Sequence, residues 1–306
     1  MLIQRYTSEI VNGNRAVDHV LFYDDGHRPL PFFHLIASLR SQQFDVVFHT
    51  HPRFRLALMT WLARIPVRVG TGYRWYSFLF NRKVFEHRKD AKCHELEYNL
   101  NLLKAIDCPV TYDDVVPTLD VNPQTLDRLK SMLVDRGVRS DERIVILHPG
   151  SGNSARDWNP DNFGKVGQCL GQLPNVRIIV TGGASEQNLA GRVQSIIGGN
   201  SLMMVNELNL KEFAALSKLA ALFIANSTGP LHIAAAVGTP VIGLYPHIKP
   251  LSAERWGPYT SKKTIFSPVG KPDDCTLCLR GHSPCECMNS ISVGDVCAAA
   301  VRILGN

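Results

Sequence analysis

The stretch His148–Trp158, HPGSGNSARDW, gathers small residues, hydroxyls and one guanidinium into a short span. The apolar run RIVILH leads into it, so Gly150, Ser151, Gly152, Asn153 and Ser154 fall in a loop at a strand's carboxyl end. Open α/β sheets bind ligands at that end. Small side chains let backbone N–H groups approach an anion, hydroxyls add donors, and Arg156 can fork onto a phosphate. A plain Gly-Ser turn would account for the glycines, but not for Arg156 and Trp158 beside them.

A second stretch, NSTGPLH at Asn226–His232, follows the run ALFIA and precedes IAAAVGTPVIGLYP. Pro230 suits the first position of a helix, where its missing N–H costs nothing, with Ser227 or Thr228 as the cap. A helix start at a strand's carboxyl end offers free N–H groups and a favourable dipole to an anion, here at Thr228 and Gly229. His232, within the first turn, can donate to a phosphate or sugar oxygen, although a lone helical histidine is more often structural. A third stretch, TGGASE at Thr181–Glu186, ends another strand in Gly182 and Gly183. Glu186 could accept from a ribose hydroxyl pair or simply complement a helix dipole. One such loop is weak; three at successive strand ends of one sheet point to a ligand carrying phosphate and hydroxyls.

Cys275, Cys278, Cys285 and Cys287 make C-x2-C and C-x-C pairs six residues apart, with His282 between them. The count fits a structural zinc site, and thiols in a tight loop fit it as well. Cys93, Cys108, Cys169 and Cys297 are scattered and read as structural, and a cytosolic setting argues against a disulfide framework. Between Arg53 and Lys92, ten basic residues face only Glu86 and Asp90. That run, including Arg53, Arg74 and Arg82, attracts anionic groups or is a solvated basic face. No nucleic-acid-binding module accompanies it, so nucleic acid is not expected as a partner.

These residues must be positioned by elements that alternate along the chain. Strands are expected at His19–Tyr23, Asp45–His49, Arg143–His148, Val176–Thr181, Ala221–Ala225 and Pro240–Leu244. Helices are expected near Leu30–Ser41, Phe54–Arg64 and His94–Ile106. Continuous apolar strands between helices imply parallel sheets covered on both faces. Asn209 and Glu212 form a capping-box pattern before a helix that buries Phe213, Leu216 and Ala220. The chain has 306 residues, 45% hydrophobic, with net charge +6. That length suits two domains. PTLDVNP at Pro117–Pro123 reads as the linker, giving domains 1–117 and 118–306. No apolar run reaches the length of a membrane span, and the start lacks a signal peptide's apolar centre, so a cytoplasmic location is expected.

Together, HPGSG...ARDW and NSTGPLHIAAAVGTPVIGLYP resemble glycosyltransferase family 9, the lipopolysaccharide heptosyltransferases. Weaker echoes are RVGTGYRW, the FNRKV–HELEYNLNLL stretch and the final cysteine cluster. The resemblance implies a GT-B architecture: two Rossmann-like domains with parallel sheets facing a central cleft, acceptor on the first and nucleotide-sugar on the second. It implies inverting, metal-independent transfer from an ADP-heptose-like donor to an anionic lipopolysaccharide-core acceptor, with peripheral contact at the inner membrane face. It places Ser151, Gly152 and Arg156 at the diphosphate, Glu186 at the ribose, and Ser227, Thr228, Gly229 and His232 at phosphate and sugar. It also has the final helix, Val293–Leu304, crossing back towards the first domain.

Three departures stand out. Ser227 replaces the family's Asp, so the donor sugar need not be heptose. Gly152 replaces a hydroxyl residue, leaving Asn153 or Ser154 to compensate. The match begins after the family's opening strand, Gly-Asp loop and helix, whose Asp is the catalytic base, so the first domain is incomplete. A coding region extending upstream and a natural truncation both explain this, and Asp24 and Asp25, near the corresponding domain, are not expected to replace that base. A catalytically inactive relative, a zinc-containing nucleic-acid-binding protein and a nucleotide-sugar epimerase are the competing readings.

Overall fold

A computed structural model of the chain describes residues 1–113, 115–152, 154–199, 201–269 and 286–305. The chain divides into two units, 1–115 and 116–306. The stretch read as a linker is tied down within the second: Leu119 donates its N–H to Ala236 O at 3.0 Å. Asn122 then caps α5 (Pro123–Asp135) by accepting from Gln124 N.

The second unit is built on six parallel strands: β6 (Arg143–His148), β7 (Val176–Gly182), β8 (Ser201–Val205), β9 (Ala220–Asn226), β10 (Val241–Leu244) and β11 (Lys263–Phe266). They are ordered β11-β10-β9-β6-β7-β8. Counted within the unit this is 3-2-1-4-5-6, a doubly wound sheet whose direction of winding reverses between β6 and β9. The strand period is visible in β6. Val145 and Leu147 enter one core with α6 (Pro160–Leu170) and α7 (Gln187–Ile197), while Ile144 and Ile146 enter the other with α5 and α8 (Leu210–Leu219). Both faces of the strand are therefore buried, which is why its sequence is continuously apolar.

Local signals set the helix starts. Asn159 caps α6 by accepting from Asp161 N, with Pro160 at the first position. Asn209 Oδ1 accepts from Glu212 N at 2.9 Å, and Glu212 Oε2 accepts from Asn209 N at 3.1 Å, the reciprocal pair expected for α8. The helix α9 (Gly229–Ala236) is capped at Thr228, which places Pro230 at the second helical position rather than the first.

The last described helix, Val293–Gly305, packs against α6 and β9 within the second unit and corrects one expectation. Cys297 on it is joined to Cys169 of α6 as a disulfide, so these two cysteines are cross-linked rather than merely scattered.

The first unit holds β1 (Leu2–Ile3) and β2 (Leu21–Phe22), paired in parallel, and a separate parallel sheet of β3 (Val46–Phe48), β4 (Val67–Thr71) and β5 (Arg82–Val84). Helices α2 (Phe32–Ser41) and α3 (Phe54–Leu62) supply Leu35, Ile36, Leu39 and Met59 to its core. Strand β4 escapes recognition from its sequence because Arg68 interrupts the apolar run. Its guanidinium is absorbed locally, with Nε donating to Leu79 O at 2.9 Å and NH1 to Ile65 O at 2.5 Å. Gly70 is required there, since a Cβ would stand 2.6 Å from the Phe80 ring. The stretch read as one helix over His94–Ile106 is α4 (Glu95–Leu100), capped by His94, followed by a 3-10 helix Asn101–Ile106.

Candidate functional site

Adjacent parallel strands β6 and β9 end side by side, His148 in register with Ala225. The loops HPGSG...ARDW and NSTG therefore leave the sheet together at the point where its winding reverses. In open α/β sheets that crevice is where ligands bind. Asn226, fully buried, joins the two loops: its Nδ2 donates to Pro149 O at 2.7 Å and its Oδ1 accepts from Trp158 N at 3.0 Å. Trp158 is also fully buried, and its Nε1 donates to Ile291 O at 3.3 Å. Both ends of the loop are thus pinned to the end of β9, and its far end also to the segment before the last helix.

Within the loop, Gly152 has φ +56, a left-handed backbone that glycine adopts without strain. Ser151 is buried. Its carbonyl accepts from Ser154 N at 3.0 Å and from Ser154 Oγ at 2.6 Å. Its side chain hydrogen-bonds Asp157. Burial pushes the Asp157 carboxyl up, with the Ser151 bond and Arg156 opposing and Glu186 reinforcing. Its Oδ1 is buried without a hydrogen-bond partner among the described residues. Asp157 carries no sequence signal beyond being a carboxylate between Arg156 and Trp158. Arg156 itself is half-buried. Asn153 lies outside the described residues.

The third loop meets the first through Glu186. Its Oε1 accepts from Gly152 N at 3.0 Å and its Oε2 from Gly183 N at 2.8 Å. Gly150 is held to glycine by the same carboxylate, since a Cβ would stand 2.0 Å from Glu186 Oε1. Glu186 Oε2 also lies 4.0 Å from His148 Nε2. Burial holds that imidazole down to about 4, against the pull of Glu186, so it is neutral at physiological pH and the contact is not an ion pair. His148 Nδ1 shares a hydrogen bond of 2.9 Å with Thr181 Oγ1. The structure thus brings Gly182, Gly183 and Glu186 against Ser151 and Gly152, with Glu186 engaged by backbone N–H groups.

At the start of α9, Thr228 is extended and its side chain makes no capping hydrogen bond. Gly229 is exposed, and a Cβ on it would meet nothing within 4 Å. The helix opens onto space with its first N–H groups not taken by a cap. Ser227 hydrogen-bonds buried Tyr245, whose hydroxyl is pushed up by burial. His232 is half-buried in the first turn.

In the first unit, Arg53 and Arg74 follow β3 and β4 and are both exposed. Arg82 lies lower, at the amino end of β5 in register with Val69. Asp24 is buried, its Oδ1 accepting from Arg5 N and Gly26 N. Asp25 is exposed and accepts from His27 N and Arg28 N, bonds that lower its carboxyl. Of the proposed zinc ligands, Cys275, Cys278 and Cys285 lie outside the described residues. Cys287 is half-buried. Among the described residues, no three His, Cys, Asp or Glu cluster as a metal site, and no helix is long and apolar enough to cross a membrane.

Strand order and loop placement define a doubly wound α/β protein with three loops at the carboxyl end of one sheet. The model of glycosyltransferase family 9 (heptosyltransferase) matches residues 32–287. The chain belongs to that family and is a glycosyltransferase by class. It is 29% identical over 221 residues to lipopolysaccharide heptosyltransferase 3 of Escherichia coli, covering 70% of this chain and 63% of that one. In structure it resembles a glycosyl transferase family 9 protein of Veillonella parvula DSM 2008, with a TM-score of 0.81 and 18% identity over 99% of this chain and 87% of that one. It also resembles E. coli ADP-heptose lps heptosyltransferase II, with a TM-score of 0.78 and 17% identity over 99% of this chain and 88% of that one. The fold is that of these GT-B proteins.

Proposed function

We propose that this chain transfers a sugar from an ADP-heptose-like donor to a lipopolysaccharide-core or similar anionic glycan acceptor, with inversion and without a metal ion. The carrying observation is the meeting of the HPGSG and NSTG loops at the sheet's reversal point, joined by Asn226. Family membership supplies the reaction class, and the name of the E. coli neighbour supports the donor.

In this reading Ser151, Gly152, Asn153 and Arg156 meet the diphosphate, and Gly182, Gly183 and Glu186 approach the nucleoside. Ser227, Thr228, Gly229 and His232 meet the phosphate and sugar. An acceptor hydroxyl gives its proton to a general base, for which no residue is assigned, and its oxygen bonds to the anomeric carbon. The bond from that carbon to the diphosphate oxygen breaks, and the nucleoside diphosphate leaves with the negative charge. Arg156 and the amino end of α9 stabilise that charge through fixed positive groups, in place of a metal. Arg53, Arg74 and Arg82 favour an acceptor bearing phosphates or carboxylates at the inner face of the cytoplasmic membrane.

Two measurements test this. Calorimetry with ADP-heptose should show binding that Gly152→Val abolishes, because a β-branched residue cannot hold φ +56. ADP release with a core-oligosaccharide acceptor should then fall about 10²–10³-fold in Arg156→Ala. Donor binding with no release under any acceptor would identify an inactive relative, and no donor binding would overturn the reading.

A further inference from the structure

The HPGSG...ARDW loop holds one carboxylate to which the transfer reading gives no role. Asp157 precedes the buried Trp158, and its Oδ1 is buried with no hydrogen-bond partner among the described residues. Its carboxylate takes a hydrogen bond from the Ser151 side chain. The charged groups that act on it are Glu186, from the loop after β7, and Arg156 beside it. His148, which also faces Glu186, is neutral. The two carboxylates are held unequally. Glu186 accepts from Gly152 N and Gly183 N, bonds that stabilise its charge, whereas Asp157 is met by a side-chain hydroxyl and keeps one oxygen unpartnered. An anion arriving at this loop raises the cost of both charges, and the less stabilised one gives way first.

A serine hydroxyl has one proton and two lone pairs. At Ser151 one lone pair accepts from Ala155 N at 3.4 Å. An ionised Asp157 can only accept, so the Ser151 proton is spent on it and Oγ offers a phosphate oxygen nothing but its second lone pair, which repels. A protonated Asp157 reverses the bond. Its O–H donates to that second lone pair, and the Ser151 proton is released for a phosphate oxygen. Ser151 is buried and its carbonyl is held by Ser154, so the hydroxyl has little freedom to escape this choice.

We propose that Asp157 is a positioning residue for the donor, taking up a proton as the diphosphate binds and so turning the Ser151 hydroxyl from the carboxylate to a phosphate oxygen. The proton comes from water or buffer and stays on Asp157 while the diphosphate is bound; no bond of the donor is made or broken in this step. Burial already pushes the carboxyl up in the free protein, against the Ser151 bond and Arg156 and with Glu186, which lessens the cost of adding the proton. Asp157 then holds a proton more tightly in the complex than in the free protein. Affinity is therefore greatest at low pH and falls as pH rises through the range in which the complex loses that proton. The inference rests on the transfer reading in one respect, that a diphosphate occupies this loop.

Calorimetry of the full chain with ADP-heptose, in buffers of different ionisation enthalpy, tests it, because the heat of binding then varies with the number of protons exchanged. The diphosphate of this probe is esterified at both ends and does not itself titrate near neutral pH. The wild type should take up a proton, in whole or in part, with affinity weakening by at most about tenfold per pH unit. Asp157→Asn, whose amide can donate to Ser151 at every pH, should bind with neither the uptake nor the slope. Asp157→Ala should also lose the uptake but, with no group to orient the Ser151 hydroxyl, should bind about tenfold more weakly than Asp157→Asn. The wild-type measurement requires no variant to fold. Binding without proton uptake in the wild type, or uptake that persists in Asp157→Asn and so belongs to another group such as His232, overturns the inference and leaves the transfer reading standing. Failure of ADP-heptose to bind at all overturns both.

Discussion

Asn226 holds Trp158 by its backbone, accepting from Trp158 N at 3.0 Å across 68 residues of chain, while its other amide atom donates to Pro149 O at 2.7 Å. One buried amide at the end of β9 thereby fixes both ends of the loop that follows β6. Neither an apolar residue nor a carboxylate can replace it, since one partner is an N–H and the other a carbonyl.

Asn226→Ala leaves a buried N–H and a buried carbonyl unsatisfied, and should cost about 2–5 kcal/mol of stability. Asn226→Asp keeps the acceptor for Trp158 but sets an oxygen against the Pro149 carbonyl, so it should rescue only part of that loss. Urea unfolding of the three proteins decides this. Equal stabilities would mean the bridge is not formed.

Gly150→Ala drives a methyl into the Glu186 carboxylate, which must then leave Gly152 N and Gly183 N. The single change should destabilise by about 1–3 kcal/mol. Glu186→Ala alone should do the same by removing the acceptor of both N–H groups. Because both act on one contact, the double variant should be less damaged than the sum, by about 1 kcal/mol or more in a double-mutant cycle. Simple additivity would show that the alanine methyl is accommodated elsewhere.

His49 and His148 are both buried and held to about 4, each chiefly by burial, with Arg68 adding to the effect at His49. In the unfolded chain a histidine titrates near 6.5. Between those values the unfolded state binds more protons, so stability is full above about 6.5 and is lost as pH falls towards 4. Each group contributes on the order of a few kcal/mol to that slope. Denaturant midpoints at neutral pH and at pH near 5 should differ, and His148→Gln should show a smaller difference. A slope unchanged by that substitution would mean His148 is solvated.

Cys169 and Cys297 close a loop of 128 residues in sequence. The chain-entropy model gives such a link at most about 5 kcal/mol, acting through the unfolded state. Thermal unfolding should shift downwards on adding dithiothreitol, and the double Cys→Ser variant should show no shift. A wild-type transition indifferent to reductant would place both thiols in the reduced state.

Much of this protein could be read along the chain. The runs RIVILH and VRIIVT are strands by composition, and Asn209 with Glu212 announces α8, because caps and strand runs are decided by residues a few positions apart. The Gly and Ser clusters after the strands marked where an anion could approach, because small side chains expose the backbone wherever they occur. Strands such as Arg82–Val84 and Lys263–Phe266 were not legible, since a short polar edge strand has no period of its own and is defined by its partner.

Sequence alone determined which residues could form loops, caps and buried strands, since those properties are local. Only the tertiary structure decided that β6 lies beside β9, because sheet order is fixed by which apolar faces can be covered at once. From that adjacency comes the Asn226 bridge, while the hold of Glu186 on Gly152 comes from β7 lying on the other side of β6 and the link between Cys169 and Cys297 from the last helix packing on α6. Each joins residues more than thirty positions apart, a separation that no local pattern encodes and that packing alone brings to contact distance.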